Sequence, residues 1–277
     1  MPIAHHVMLR TEERRVLAPS VGQRRALAAA VHEIAGRGLL AFRGSDTHVH
    51  LLLVVDRAPA GRTAQALSVA LHARLDLGAP FEPSRIKPVE NLSHLESAFD
   101  YILRQDERHG FGSDPWHDAS VLPDLLGLRV LGGDVRERVR EHLPRVDRRR
   151  LLEILGVEAL HAGTDLAIGV EAAAAAVARA DLAGKARCVV AARRALLALL
   201  DEAEKPPPFD RSVACRARRI PPDPRLVRAI ALQIGFREEL RARREVDEGV
   251  RCDSGQVTGH SGRIATPRPE TVAIRGR

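Results

Sequence analysis

Alternating apolar positions open the chain. Val7 and Leu9 fall on one side of an extended stretch over 4–10, as expected for a strand. Ala26, Leu27, Ala30, Val31 and Ile34 recur at helical spacing and predict a helix over 23–36, ended by Gly36 and Gly38. A short strand over 39–43, a turn at Gly44-Ser45-Asp46 and a second strand from His48 read as a hairpin. The run Leu51-Leu52-Leu53-Val54-Val55 is apolar without alternation, the mark of a strand buried on both faces. Residues 56–61 read as a loop. A helix over 63–77 carries Ala66, Leu67, Ala70, Leu71 and Leu75. Pro80, Pro83 and Pro88 then suggest a linker. A third helix is predicted over 91–105, with Ser93 as its N-cap and Glu96 at the capping-box position. This β-α-β-β-α-α order implies an α+β domain, an antiparallel sheet with helices on one face.

After about residue 120 the pattern becomes helical, over 134–142, 147–160, 170–180 and 185–203. Lys205-Pro206-Pro207-Pro208 interrupts it, and an Arg-rich helix follows over 224–244. Residues 248–277 are polar and aperiodic, as in a disordered tail. The implied segments are 1–120, a helical region at 121–204, a Pro-broken, Arg-rich extension at 205–247 and the tail at 248–277. No internal repeat is visible.

Composition narrows the picture. The 277 residues are 45% apolar but only 3% aromatic, so Leu, Val and Ala must fill the core. The net charge of +7 favours a polyanionic partner, nucleic acid before a membrane surface. No apolar run is long enough to span a bilayer, so no membrane partner is expected. Cys188, Cys215 and Cys252 are far apart and form no CxxC pair, which suits a reducing cytoplasm, as does the lack of a leader-like start.

The candidate chemistry sits at the head of the apolar run. His48 and His50 alternate on a strand and so share a face, which makes half of a metal site. Such pairs also arise incidentally. Tyr101, the single tyrosine of the chain, lies on the third predicted helix, and Gln105 lies one turn further on the same face. Taken alone, Tyr101 also suits a core position. Together the four residues offer a phenol nucleophile beside a cation held by His48, His50 and the Gln105 amide oxygen. Imidazole and amide ligands with open positions suit Mg²⁺ or Mn²⁺ at a phosphate.

These motifs resemble the single-tyrosine HUH transposases, most closely the REP-associated tyrosine transposases. Thr47-His48-Val49-His50-Leu51-Leu52 is similar to that family's Asn-His-Val-His-Leu-Leu. Asp100-Tyr101-Ile102-Leu103-Arg104-Gln105, followed by Arg108 and Gly110, is similar to its Tyr-Ile-x-x-Asn-Pro-x-Arg-Ala-Gly. His6-Val7-Met8-Leu9-Arg10 resembles its opening His-Val-x-x-Arg, and Trp116 stands where it has Trp-Ser-Ser. Thr47 replaces Asn, and Gln105-Asp106 replaces Asn-Pro. The resemblance covers about residues 1–120.

The resemblance implies a transposase and endonuclease acting on single-stranded or hairpin-forming DNA. Tyr101 would attack the scissile phosphate to give a covalent 5′-phosphotyrosine and a free 3′-hydroxyl, and a second DNA end would reverse the step. Arg10 and Arg108 would contact phosphate. A domesticated DNA-binding regulator with weak or no catalysis is the alternative. His5, His6, His94, His109 and His117 are expected mainly at the surface, with His109 and His117 candidates for DNA contact. Lys185, Arg187, Arg193 and Arg194 suit either a helix-turn-helix reader of DNA or the basic face of an ordinary bundle. Monomer and homodimer both stay open.

Overall fold

The computed structural model describes residues 1–12, 15–105, 117–131 and 135–254, with side chains described to residue 243. The chain divides into two compact units, Met1–Leu240 and Arg241–Arg277. The first holds the sheet and both hydrophobic cores.

The sheet is built from β1 (Ala4–Arg10), β2 (Leu39–Gly44), β3 (His48–Leu53) and β4 (Arg85–Val89). Its order is β2-β3-β1-β4, antiparallel throughout. Between β1 and β2 runs α1 (Val21–Ala35), and between β3 and β4 runs α2 (Arg57–Leu75). The Ser20 hydroxyl accepts from the Gln23 backbone while the Gln23 side chain reaches back to Ser20, a capping box that sets the start of α1. The next helix, α3 (Leu92–Leu103), leads into the helical part of the chain.

That part comprises α4 (Leu122–Leu126), α5 (Val135–His142), α6 (Arg148–Leu155), α7 (Gly169–Ala176), α8 (Arg187–Glu202), α9 (Arg211–Ala217) and α10 (Pro224–Ser254). Helices α4 to α6 contribute Leu125, Val139 and Leu152 to the same core as the sheet. A second core gathers Ala172, Ala173, Ala174, Ala176, Leu196, Leu200 and Ile230 from α7, α8 and α10.

The α+β class and the antiparallel sheet follow the sequence reading, with one correction. Helices cover both faces of the sheet, not one. Leu27 of α1 would meet a Cβ placed on Gly44, and His32 stands edge-on to Phe42 at 5.5 Å, so α1 lies on the face of Val49 and Leu51. Arg43 points to the other face and donates to the Leu103 carbonyl at 3.0 Å, so α3 covers that side. The reason is visible in β3: Leu52 stands between the histidines and the strand end, and it needs cover as much as Leu51 does.

Boundaries differ as well: the helices predicted over 147–160 and 170–180 end at Leu155 and Ala176, and four other differences have a local reason. The proline-marked linker contains β4, with Pro88 tolerated because β4 is an edge strand. The expected loop at 56–61 is the first turn of α2. Asn91, not Ser93, caps α3, accepting from the His94 backbone at 2.9 Å. Helix α10 continues to Ser254, past the predicted end at 244, since the sequence there holds only one Gly and no Pro. Residues 255–277 lie outside the described residues.

Two buried carboxylates lie near the joint between the cores. Asp124 accepts from Arg129 at 3.0 and 2.5 Å and from His32 at 3.0 Å. Burial pushes its carboxyl up, but Arg129 and His32 outweigh that and hold it at about 2. Asp118, under the same burial, is held below the usual carboxylate range by His117, Arg25, Arg237 and Arg129. Arg25 and Arg237 also reach Glu171 of α7, at 3.4 and 2.6 Å, which ties the first core to the second.

Candidate active site on the histidine face

Strand register determines what shares a face with the histidines. Met8 pairs with both His50 and Arg85, and Arg43 pairs with His50. One row across the sheet therefore reads Arg43, His50, Met8, Arg85. The next reads Ala41, Leu52, His6, Lys87, and Arg10 pairs with His48. All these side chains project to one side, because alternate residues of every strand do.

Helix α3 lies over this side. Phe99, Ile102 and Leu103 are buried against the sheet, and Tyr101, 37% exposed, stands at the rim. Two contacts hold the helix in place. Arg43 caps its C-terminal carbonyl at Leu103, where a cation also suits the helix dipole. Arg150 of α6 pairs with Asp100.

The aromatic rings converge. His48 and His50 are 4.6 Å apart between ring centroids and nearly perpendicular. The Tyr101 ring is 5.5 Å from His50 and 5.9 Å from His6. His6 Nε2 and His50 Nδ1 share a hydrogen bond of 2.8 Å. Thr47 Oγ1 lies 3.3 Å from His48 Nδ1. Gln105 is buried, and its amide nitrogen donates to the Tyr101 carbonyl at 3.1 Å.

Burial above all disfavours the charged form of His50 and His6. Burial, then the neighbouring His48, His6 and Arg10, lowers His50 to about 2. Burial, then Lys87 and His94, lowers His6 to about 4. His50 Nε2 is buried and has no hydrogen-bond partner among the described residues. An unpartnered buried nitrogen costs about 1–3 kcal/mol, so the site holds a lone polar atom that a ligand would satisfy. Among the described residues no three His, Cys, Asp or Glu side chains are set to hold a metal. A cation at His48 and His50 therefore needs a ligand of another type, and the Gln105 carboxamide has the right chemistry.

A cavity of about 490 Å³ opens beside His50 and Tyr101, lined also by His6, Arg85, Lys87 and His94; His48 and Gln105 are not among its lining residues. His6 was expected at the surface and instead bonds His50. The signal was present: with Val7 and Leu9 on one face of β1, His6 must share the other with Met8 and Arg10. His5 was also expected at the surface. It is buried, with Nδ1 2.8 Å from the Val55 carbonyl. His94 is exposed, as expected. His117 is half-buried, edge-on to Phe236 at 5.3 Å.

The predicted DNA contacts separate. Arg10 stands beside His48, and its Nε has no hydrogen-bond partner among the described residues. Lys185, Arg187, Arg193 and Arg194 are not among the residues lining the cavity. Lys185 and Arg187 are exposed, and Arg194 is half-buried. Arg193 closes the connection between α7 and α8, donating to Leu182 at 2.8 Å and to Gly184, so its guanidinium is used internally. Arg108, His109, Gly110 and Trp116 lie outside the described residues.

No protein-family model matches the chain, and no curated protein does. Among solved structures, the chain is similar to one described as a REP-associated tyrosine transposase bound to a REP hairpin, at 15% identity and a TM-score of 0.37, over 49% of this chain and 88% of that one. Among the described residues no helix is long and apolar enough to cross a membrane.

Proposed function

We propose that this chain is a DNA strand transferase and endonuclease of the single-tyrosine HUH type, acting on single-stranded or hairpin-forming DNA. The observation that carries the reading is the convergence of the single tyrosine on a histidine pair, at 5.5 Å, in a cavity with basic walls. A core tyrosine would bury its ring, whereas Tyr101 is partly open beside an unpartnered imidazole nitrogen.

His48, His50 and the Gln105 amide oxygen are the residues that would hold Mg²⁺ or Mn²⁺. Such a cation, when bound, supplies Lewis-acid polarisation of a phosphate and support for a phenolate. With a cation on His50 Nε2, the hydrogen bond shared by His50 Nδ1 and His6 Nε2 would run from His50 to His6 and would fix the ring as an orienting partner does. Tyr101 Oη bonds to phosphorus as the bond to the 3′ oxygen breaks. The phenol proton passes to water, and the departing 3′ oxygen takes one up. The phosphotyrosine keeps the bond energy, so a second 3′-hydroxyl reverses the step and rejoins strands without a nucleotide cofactor. Arg10 beside His48 contacts the phosphate being cut.

The test is incubation with hairpin-bearing single strands and Mn²⁺ or Mg²⁺, followed by denaturing electrophoresis. A denaturation-resistant protein–DNA adduct is expected. Tyr101→Phe should abolish it, by at least about a thousandfold as for removal of a nucleophile, and leave DNA binding in place. Binding with no adduct under any of these conditions would favour the regulator instead.

A further inference from the structure

Strand β4 carries charge that the reaction above does not use. Arg85 and Lys87 alternate along it, and their row partners are Met8 and His6, so both project on the histidine face. Both are exposed, and among the described residues neither pairs with a carboxylate. They line the same cavity as Tyr101, with His94 nearby, and among the described residues no Asp or Glu lines it.

The position of β4 sharpens the chemistry. It is the outer strand of the sheet, and an open edge ordinarily invites another strand to add. Here Pro88 has no N–H to offer, and the Ile86 carbonyl already accepts from Arg57 at 2.7 Å. The edge thus presents charge, not a free backbone ladder. Two cations two residues apart stand about 7 Å from each other along a strand, which suits successive phosphates of an extended chain. The row from Arg85 to His50 crosses two strand spacings, about 10 Å.

We propose that Arg85 and Lys87, with His94 beside them, form a phosphate ledge that holds the backbone of a single-stranded nucleic acid next to Tyr101. The proposal rests on the reading of the site as a strand transferase and names where its substrate lies. Contacts of this kind position a strand without reading its sequence.

The experiment uses the full chain carrying Tyr101→Phe, so that cleavage does not intervene. Binding of a pool of fluorescent single-stranded oligonucleotides is titrated over salt concentration. Adding Arg85→Ala and Lys87→Ala should weaken binding about tenfold or more at 0.1 M salt, alike for all sequences, and lower the salt slope by about 1.4, at about 0.7 per phosphate contact. The charge-keeping pair Arg85→Lys and Lys87→Arg should bind like the parent. Unchanged slope and affinity, or a loss confined to one sequence, overturns the ledge and leaves the strand-transferase reading intact. A parent that binds no single strand overturns both.

Discussion

The two faces of one sheet are made from alternate residues of the same strands, yet they do different work. On one side Val7, Leu9, Phe42, Val49 and Leu51 are sealed under α1 and α2. On the other, His6, His50, Arg85 and Lys87 line an open cavity, Arg10 and His48 stand in the next row of the same face, and the flank at Leu52 and α3 is sealed. The difference shows how a strand period of two separates stability from chemistry within a few residues. The apolar face fixes the backbone, and the backbone fixes the rows in which the polar side chains meet.

Substitutions on the two faces should therefore have opposite consequences. Leu51→Ala should cost the most stability, about 3 kcal/mol or more, because it opens a cavity in a sealed layer. His50→Ala, two strand positions from Leu52, should change stability by no more than about 1 kcal/mol, since it also removes an unpartnered buried nitrogen and faces an open cavity. Chemical denaturation of both variants checks the contrast. Equal losses would mean that the histidine face is also structural.

Asp124→Asn should cost about 3 kcal/mol at pH 7, as breaking a buried ion pair does. The sign with pH follows from its folded value of about 2, below the ordinary 3.8. The ionised carboxylate stabilises the fold fully above about pH 4, and that contribution is lost as pH falls toward about 2. Denaturation at several pH values should show the gap between wild type and variant narrowing over that window. A constant gap would show that the ion pairs do not set it.

A smaller effect is expected at His6. His6→Ala should weaken Mn²⁺ binding about 10–100-fold, the usual effect of losing a partner that orients a ligand. His6→Gln, which keeps a hydrogen-bonding group near His50 Nδ1, should restore part of it. Electron paramagnetic resonance of free Mn²⁺ reads both without any turnover, and equal binding by all three proteins would remove His6 from the account.

The parts of the site legible in the sequence were the local ones. His48 and His50 share a face by strand period, and Tyr101 and Gln105 share one by helical spacing. No tertiary knowledge is needed for either. His6, Arg85 and Lys87 join them only through register between β3, β1 and β4, which a single sequence does not display. Pro88 hid β4 further, because a proline excludes only a central strand. Arg193 was open between a DNA contact and the basic face of a bundle, and only the turn at Leu182 and Gly184 reveals that it holds a helix connection. The network of Asp118, Asp124 and Arg129 has no motif at all, since its partners come from α1, α7 and α10 as well.

The most direct test of the central claim is the site of covalent attachment. After incubation with Mn²⁺ and a hairpin-bearing single strand, the protein is digested and the nucleotide-bearing peptide is identified by mass spectrometry. The account predicts a 5′-phosphate ester on Tyr101 and none in a His48→Ala/His50→Ala variant. An ester on another residue, or one that forms equally well without the two histidines, would contradict it.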